Sequence, residues 1–322
     1  MSDISSETNN ARQGSAPCRK VSFCFAVYQN CGSLEELYTR ASKIMEERYP
    51  ELLCEFVFVN DGSTDGSLEE LRSIKAKHGD GRIRIVNFTR NFGQMAAILA
   101  GWRYATGDAA INLAADLQDP PEQCIPMIGE WLNGKDVVIS YRESHATTAM
   151  NKLTSQIAYR LMLPEAPRGG FDFALLSRKA LDAVLSIKER NRFYQHDLLW
   201  VGFERSYLPY EKAERKTGKS QYNFIKRFGN FTTAFINVSY VPLRAMTVLG
   251  GLFAAFGFLY AVSIVYAYLM HSVPFQGWAP IMMFLLIIGG LIMGMLGVIG
   301  EYIWRIFDEV KQRPVYLVKE EL

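Results

Sequence analysis

Glu55-Phe56-Val57-Phe58-Val59-Asn60-Asp61-Gly62-Ser63-Thr64-Asp65-Gly66-Ser67 contains the repeating unit of the fold in miniature. Of its first six residues, Glu55 to Asn60, the inner four are all apolar, as in a strand covered on both faces. The rest is a string of turn formers ending in a helix N-cap, Asp65 or Ser67. From there Ser67 to Lys77 has helical periodicity. The same alternation extends in both directions. Val21 to Tyr28, Arg82 to Phe88, Asp108 to Ala114 and Asp136 to Tyr141 are further predicted strands, and Ser33 to Arg48, Gln94 to Ala105 and Glu122 to Asn133 further predicted helices. Strand and helix taking turns predicts an α/β fold, a mainly parallel doubly wound sheet with its ligand at the carboxyl ends of the strands.

The 322-residue chain carries 35 basic and 33 acidic residues, a formal net charge of +2, and its mean hydropathy is zero. That average joins unlike parts. No Asp, Glu, Lys or Arg occurs from Ala245 to Gly300, so every charge falls in the remainder, which has the charge density of an ordinary globular domain. Global disorder, a collagen-like repeat and a strongly basic nucleic-acid binder are excluded. The five cysteines, Cys18, Cys24, Cys31, Cys54 and Cys124, are scattered and form no Cys-x-x-Cys pair, as expected of reduced thiols in a cytosolic domain. Residues 1–17 are polar and lack an apolar core, which reads as a disordered tail rather than a signal peptide.

The uncharged block divides into two candidate spans, 245–270 and 278–300, joined by a short polar link that contains Pro274. Each exceeds the ~20 residues needed to cross a bilayer core. Lys226, Arg227 and Arg244 precede the first, Arg305, Lys311 and Arg313 follow the second, and the link has no Lys or Arg, so both termini are expected in the cytoplasm. From Tyr222 to Tyr240 aromatic and aliphatic residues recur every three or four positions, suiting an amphipathic helix in the membrane interface; a helix packed on the soluble domain is the alternative. Between Val201 and Arg244 eight basic residues face three acidic ones, a collar that suits anionic headgroups or an anionic lipid substrate.

Unusual residues fall at the carboxyl ends of the predicted strands. Asn60 and Asp61 are more than turn chemistry needs, and a carboxylate there can accept hydrogen bonds from a base or ribose. After the fourth strand, Asp116-Leu117-Gln118-Asp119-Pro120-Pro121-Glu122 crowds hard oxygen donors of the kind that suit Mg²⁺ or Mn²⁺ on a diphosphate. Other signatures fail. Thr217-Gly218-Lys219-Ser220 resembles the end of a phosphate-binding loop, but Ala213 stands where its Gly belongs. His78-Gly79-Asp80-Gly81 lacks the third Gly of a dinucleotide fingerprint, no Gly-x-Ser-x-Gly elbow is present, and the four histidines have no metal-ligand spacing.

Asn60-Asp61-Gly62-Ser63-Thr64-Asp65, Asp116-Leu117-Gln118-Asp119-Pro120-Pro121-Glu122 and Arg215-x-x-Gly218-Lys219-Ser220-x-Tyr222, followed by paired spans, together resemble the family-2 glycosyltransferases that charge polyprenyl phosphates. The nearest likeness is to bactoprenol (undecaprenyl-phosphate) glucosyltransferases, with dolichyl-phosphate mannose synthases as more distant relatives. The resemblance covers about Val21 to Pro314. It implies a GT-A fold that takes a nucleotide sugar, usually UDP-linked, and passes the sugar with inversion to a lipid phosphate at the cytoplasmic face of the inner membrane. Glucose is the expected sugar; N-acetylglucosamine, galactose, mannose and a modified arabinose stay open. The implied product serves modification of a cell-surface glycan such as a lipopolysaccharide O-antigen.

By the same resemblance Tyr28, Asn30, Asp61, Asn91, Gln94 and Asp116 line the nucleotide, and Asp116 and Gln118 hold Mg²⁺ or Mn²⁺. Arg142, Arg168, Arg215 and Lys219 meet the acceptor phosphate; Asp116, Asp119, Arg142 and Arg168 are the expected catalytic set, with Asp119 or Asp172 orienting sugar hydroxyls. The chain departs from the family where Ala114 replaces the first acid of Asp-x-Asp, and the family's strand-one Pro and Glu are also missing. It has no Gln-x-x-Arg-Trp, which argues against a processive polysaccharide synthase. The expected organisation is a tail (1–17), a GT-A domain (18–221), an interfacial helix (222–243), a transmembrane hairpin (244–305) and a cytoplasmic tail (306–322), in a homo-oligomer that binds no nucleic acid. A catalytically inactive nucleotide-sugar-binding scaffold and a flippase or channel subunit are the rival readings. The uncharged, Gly-rich stretch Ile288 to Gly297 speaks against the last, since it offers no polar pathway.

Overall fold

The structure is a computed structural model that describes residues 19–79, 81–142, 166–167, 171–190, 192–210, 241–270 and 279–322. Strands β1 (Lys20–Val27), β2 (Leu53–Asn60), β3 (Ile83–Phe88) and β4 (Ala109–Ala114) alternate with helices α1 (Leu34–Arg48), α2 (Ser67–His78) and α3 (Gln94–Tyr104). After β4 come a 3₁₀ turn at Pro121–Gln123, α4 (Cys124–Leu132) and β5 (Val137–Arg142). Then follow β6 (Phe171–Ser177), α5 (Arg178–Ser186), α6 (Tyr194–Trp200) and β7 (Arg205–Tyr210). Two long helices, α7 (Val241–Leu269) and α8 (Ala279–Val310), precede a last short strand, β8 (Val318–Glu321).

Among the described residues one eight-stranded sheet forms, in the order β7-β5-β6-β4-β1-β2-β3-β8. Its centre is parallel, β4-β1-β2-β3, while β6 and β8 run antiparallel to their neighbours in that block. The alternation along β1 and β2 explains the three layers. Phe23, Phe25, Phe56 and Phe58 point to one face, where Phe23 stacks on Phe56 at 5.5 Å and Phe25 on Phe58 at 4.7 Å under α1 and α4. Cys24, Val57 and Val59 point to the other, under α3 and α5. Both faces are buried, which is why these strands read as continuous apolar runs. The mainly parallel, Rossmann-like α/β arrangement expected from the sequence is the one observed.

Glu55 is the exception inside the β2 run, and its partners lie at the amino ends of the strands, away from the ligand edge. Its carboxylate accepts from the Ser22 hydroxyl at 2.5 Å and from the Thr106 amide and hydroxyl at 2.5 and 2.8 Å, and pairs with Lys20 at 2.6 Å. Burial pushes the carboxyl upward, but Lys20, Ser22 and Thr106 outweigh it and bring it from an ordinary 4.5 down to about 2. The depressed value means that the stabilisation is complete above pH 4.5 and is lost as pH falls through about 2. Glu55→Gln is expected to cost about 2–3 kcal/mol at neutral pH. The difference from wild type should shrink as thermal melts of the full chain are taken toward pH 2; a gap that stays constant with pH would contradict this assignment.

Helices α7 and α8, 29 and 32 residues long, are apolar and long enough to cross a membrane. They overlap the expected spans, α7 ending one residue before 270 and α8 starting one after 278, but α8 continues past Gly300 into charged turns carrying Glu301, Arg305, Asp308 and Glu309. That extension touches the segment between α5 and α6: Arg190 pairs with Asp308 at 3.2 Å, and its backbone amide donates to Glu309 at 3.0 Å. The chain then returns to the sheet. Residues 306–322, read from the sequence as a tail, instead finish α8 and supply β8, and Leu322 just after it exchanges backbone hydrogen bonds of 2.8 and 2.9 Å with Ile85. Tyr316 stacks on Phe88 at 4.9 Å just ahead of it. The proposed interfacial helix, 222–243, lies outside the described residues except for its last three, which begin α7.

Candidate active site

In the parallel block the strand order reverses at β1, which lies between β2 and β4. Loops leaving the carboxyl ends of β1 and β4 part there, and the crevice between them is where such sheets take a ligand. Ser33 ties the two loops together, its buried hydroxyl donating to the Ala115 carbonyl at 2.9 Å.

The loop after β1 is held from the neighbouring β2–α2 turn. Successive backbone amides of Gln29, Asn30, Cys31 and Gly32 donate to Ser63 Oγ (3.1 Å), Ser67 Oγ (3.0 Å), Asp65 Oδ2 (3.1 Å) and Glu70 Oε2 (2.5 Å). Glu70 Oε1 also accepts from the Leu34 and Glu35 amides, capping α1 with a negative charge where the helix dipole favours one. The Ser and Asp residues of the turn thus have a purpose beyond turning: they fix the backbone that presents Tyr28 and Asn30. Gln29 is held in the left-handed region at φ 56°, a strained position of the kind that clusters at functional sites. Tyr28 is exposed, and Asn30 Oδ1 accepts from its amide at 2.9 Å.

Asp61 is not open to solvent. It is 2% exposed, and its two oxygens accept from the Phe92 and Gly93 amides at 2.6 and 2.9 Å. Burial raises its carboxyl above the ordinary range, against the pull of those two amides and Arg90. Its direct contribution is therefore to hold the turn before α3, on which Asn91 and Gln94 are exposed. Gly62 lets the two turns meet: at φ 66°, a Cβ there would lie 2.5 Å from the Arg90 carbonyl carbon and 2.6 Å from the Asn91 nitrogen.

Asp116, Leu117 and Gln118 form the loop after β4. Asp116 Oδ1 accepts from the Gln118 amide at 3.1 Å, and Leu117 takes φ 58°. Asp116 and Gln118 are half-buried, with Ala114 at the strand end where the family's first acid would stand. No group of three or more His, Cys, Asp or Glu gathers among the described residues. The donors present, one carboxylate and one amide oxygen on a strained turn, fit a hard divalent ion that draws its other ligands from a bound diphosphate and water. Asp119, expected as catalytic, is instead 2% exposed and accepts from the Tyr210 hydroxyl at 2.7 Å.

The structure therefore brings Tyr28, Asn30, Asp61, Asn91, Gln94, Asp116, Gln118 and Asp119 to one edge of the sheet. Arg142 ends β5, a strand beyond β6 in the same sheet. Arg168, Arg215 and Lys219 lie outside the described residues. Ser33, Glu70 and Tyr210 were not singled out in the sequence. Glu70 had a detectable signal, a Glu three residues after Ser67 as in a capping box, but its contacts go to another helix and no local pattern shows that.

Comparison with known proteins accords with this architecture. Residues 22–185 match the glycosyl transferase family 2. An uncharacterized glycosyltransferase, YkcC of Bacillus subtilis, is 36% identical over 301 residues, covering 91% of both chains. The SfII prophage-derived bactoprenol glucosyl transferase of Shigella flexneri is 32% identical over 306 residues, 94% of this chain and 98% of the relative. A solved mannosyltransferase, PcManGT of Pyrobaculum calidifontis in complex with GDP-Man and Mn²⁺, superposes with a TM-score of 0.50 at 17% identity over 68% of this chain and 64% of that one, a likeness of fold. With a GT-A-like sheet, a family match across its catalytic layers and relatives aligned nearly end to end, the chain belongs to glycosyl transferase family 2 and is a glycosyltransferase.

Proposed function

We propose that this glycosyltransferase moves a sugar, glucose in the first instance, from its UDP derivative to undecaprenyl or another polyprenyl phosphate at the cytoplasmic face of the membrane. The observation that carries the reading is that a chain whose sheet gathers Asp61, Asp116 and Gln118 at one edge also has two apolar helices long enough to cross a membrane, the second fastened to the sheet domain by Asp308 and Glu309 on Arg190. Such an arrangement suits a soluble anionic donor that has to meet a membrane-bound acceptor. The relatives named as bactoprenol glucosyl transferases support the choice of acceptor and sugar.

In this reading the acceptor phosphate, with a second pKa near 6, is largely a dianion at neutral pH and needs little help from a base. One of its oxygens attacks the anomeric carbon, the bond to the UDP oxygen breaks, and the configuration inverts. The protein's task is to bring two anions together in line and to offset the charge that grows on the leaving diphosphate. Arg142, Arg168, Arg215 and Lys219 hold the acceptor phosphate. Asp116 and Gln118 would hold Mg²⁺ or Mn²⁺, which when bound neutralises charge on the diphosphate. The Asp119–Tyr210 bond fastens the Asp116 loop to the end of β7, five residues before Arg215, so Asp119 positions rather than reacts. Both termini face the cytoplasm, and two spans per chain make a membrane domain small enough to favour a homo-oligomer.

Membranes containing the chain, supplied with undecaprenyl phosphate and a panel of UDP- and GDP-sugars, test the reading by mass spectrometry of the lipid product. A hexosyl phospholipid formed from UDP-glucose is expected. Binding of the nucleotide sugar with no lipid product from any donor would favour the scaffold reading instead.

A further inference from the structure

The strand that follows the membrane helices lies two places from the nucleotide turn, and a chain of buried side chains connects them. Glu320 Oε1 accepts from Asn87 Nδ2 at 2.8 Å; Asn87 Oδ1 accepts from Asn60 Nδ2 at 2.9 Å. Asn60 Oδ1 accepts from the Ser63 amide at 3.4 Å, and Ser63 Oγ takes the Gln29 amide already described. Asn60 and Asn87 are 1% and 4% exposed, so neither amide can turn to water.

The polarity of this chain is set at its outer end. A carboxylate only accepts, so Asn87 must present its NH₂ group to Glu320 and its oxygen to Asn60. Asn60 must then present its NH₂ group to Asn87, which leaves its oxygen for the Ser63 amide. Arg72 holds both Glu320 oxygens from the solvent side at 2.9 and 3.0 Å. The Asn87 amide, with Arg72 behind it and slight desolvation opposing, keeps the Glu320 carboxyl below its ordinary range, so the group stays an acceptor at neutral pH.

We infer that Glu320, supplied by the strand after the second apolar helix, is a positioning residue for the donor site: through Asn87 and Asn60 it fixes the Asn60–Ser63 turn and, through Ser63, the loop that carries Tyr28 and Asn30. The inference rests on the proposed nucleotide site, but its structural half can be measured without ligand. It gives the return of the chain from the membrane to the sheet a role beyond covering the β3 edge. The donor loops are thus tied to a segment that follows α8 in the chain and is held on the sheet by β3.

The test uses the full chain in detergent or nanodiscs, as wild type, Glu320→Ala, Glu320→Gln and Arg72→Ala, with amide hydrogen exchange over residues 28–33 and 60–66 and the affinity for UDP as readouts. Losing a hydrogen bond that orients two buried amides should speed exchange in these segments about tenfold and weaken UDP about fivefold in Glu320→Ala, with the KM for lipid acceptor unchanged. Glu320→Gln keeps an acceptor oxygen and should restore both readouts; Arg72→Ala removes only an exposed ion pair and should leave both near wild type. Unchanged exchange in Glu320→Ala, or Arg72→Ala reproducing its full effect, would overturn the inference. If exchange responds as expected but wild type binds no UDP, the positioning role stands and the nucleotide reading fails.

Discussion

Under the proposed mechanism Asp116→Ala should reduce sugar transfer by at least about a thousandfold, since it removes the carboxylate assigned to the diphosphate side of the site and any ion held there. Alanine also deletes the Asp116–Gln118 turn bond, so on its own it would not separate charge from loop geometry. Asp116→Asn does separate them. The amide oxygen can still accept from the Gln118 backbone while the negative charge is gone. A fall of about a hundredfold or more in kcat for the Asn variant, with an unchanged melting temperature, assigns the loss to charge. Wild-type turnover in Asp116→Ala would remove Asp116 from the mechanism altogether.

Gly62→Ala should give the largest loss of stability among single-methyl additions near the site. The new carbon would sit 2.5–2.9 Å from backbone atoms of Arg90 and Asn91, none of which can rotate away, and φ 66° is itself unfavourable for alanine. Left-handed strain of about 1–2 kcal/mol and overpacking of about 1–3 kcal/mol together give about 2–5 kcal/mol. The Asp61 bonds to Phe92 and Gly93 bridge the same two turns, so UDP affinity should fall with stability. Thermal melting and UDP titration of the variant check both. A melting temperature within about 2 °C of wild type would mean that the two turns part at little cost.

The sequence was most informative where structure repeats locally. The strand–turn–helix units from β1 to β5 lie within about two residues of their expected bounds, because both-face burial leaves an apolar run and the turns are rich in Gly, Asp and Ser. Strands β6, β7 and β8 were not foreseen. Phe171–Ser177 runs antiparallel between β4 and β5, an insertion that no local pattern encodes. Val318–Glu321 carries three charges in four residues, as an edge strand should, and so resembled a tail. In the site, the residues converge on one edge, but which oxygen serves what was not readable. The Asp61 carboxylate reads as a base acceptor, but that its two oxygens also accept from the Phe92 and Gly93 amides, some thirty residues on, is visible only in the fold. The clasp on residues 29–32 and the Glu320 relay are likewise contacts between segments distant in sequence, one of them across 233 positions.

The proposed reaction is transfer from a UDP-sugar to a membrane-bound phosphate. Purified chain reconstituted in vesicles with undecaprenyl phosphate and UDP-glucose should release one UDP for each molecule of glucosyl phospholipid formed, and release should stop when the lipid phosphate is omitted. UDP release that is indifferent to the lipid, or nucleotide binding with neither UDP nor glycolipid produced, would rule this reaction out.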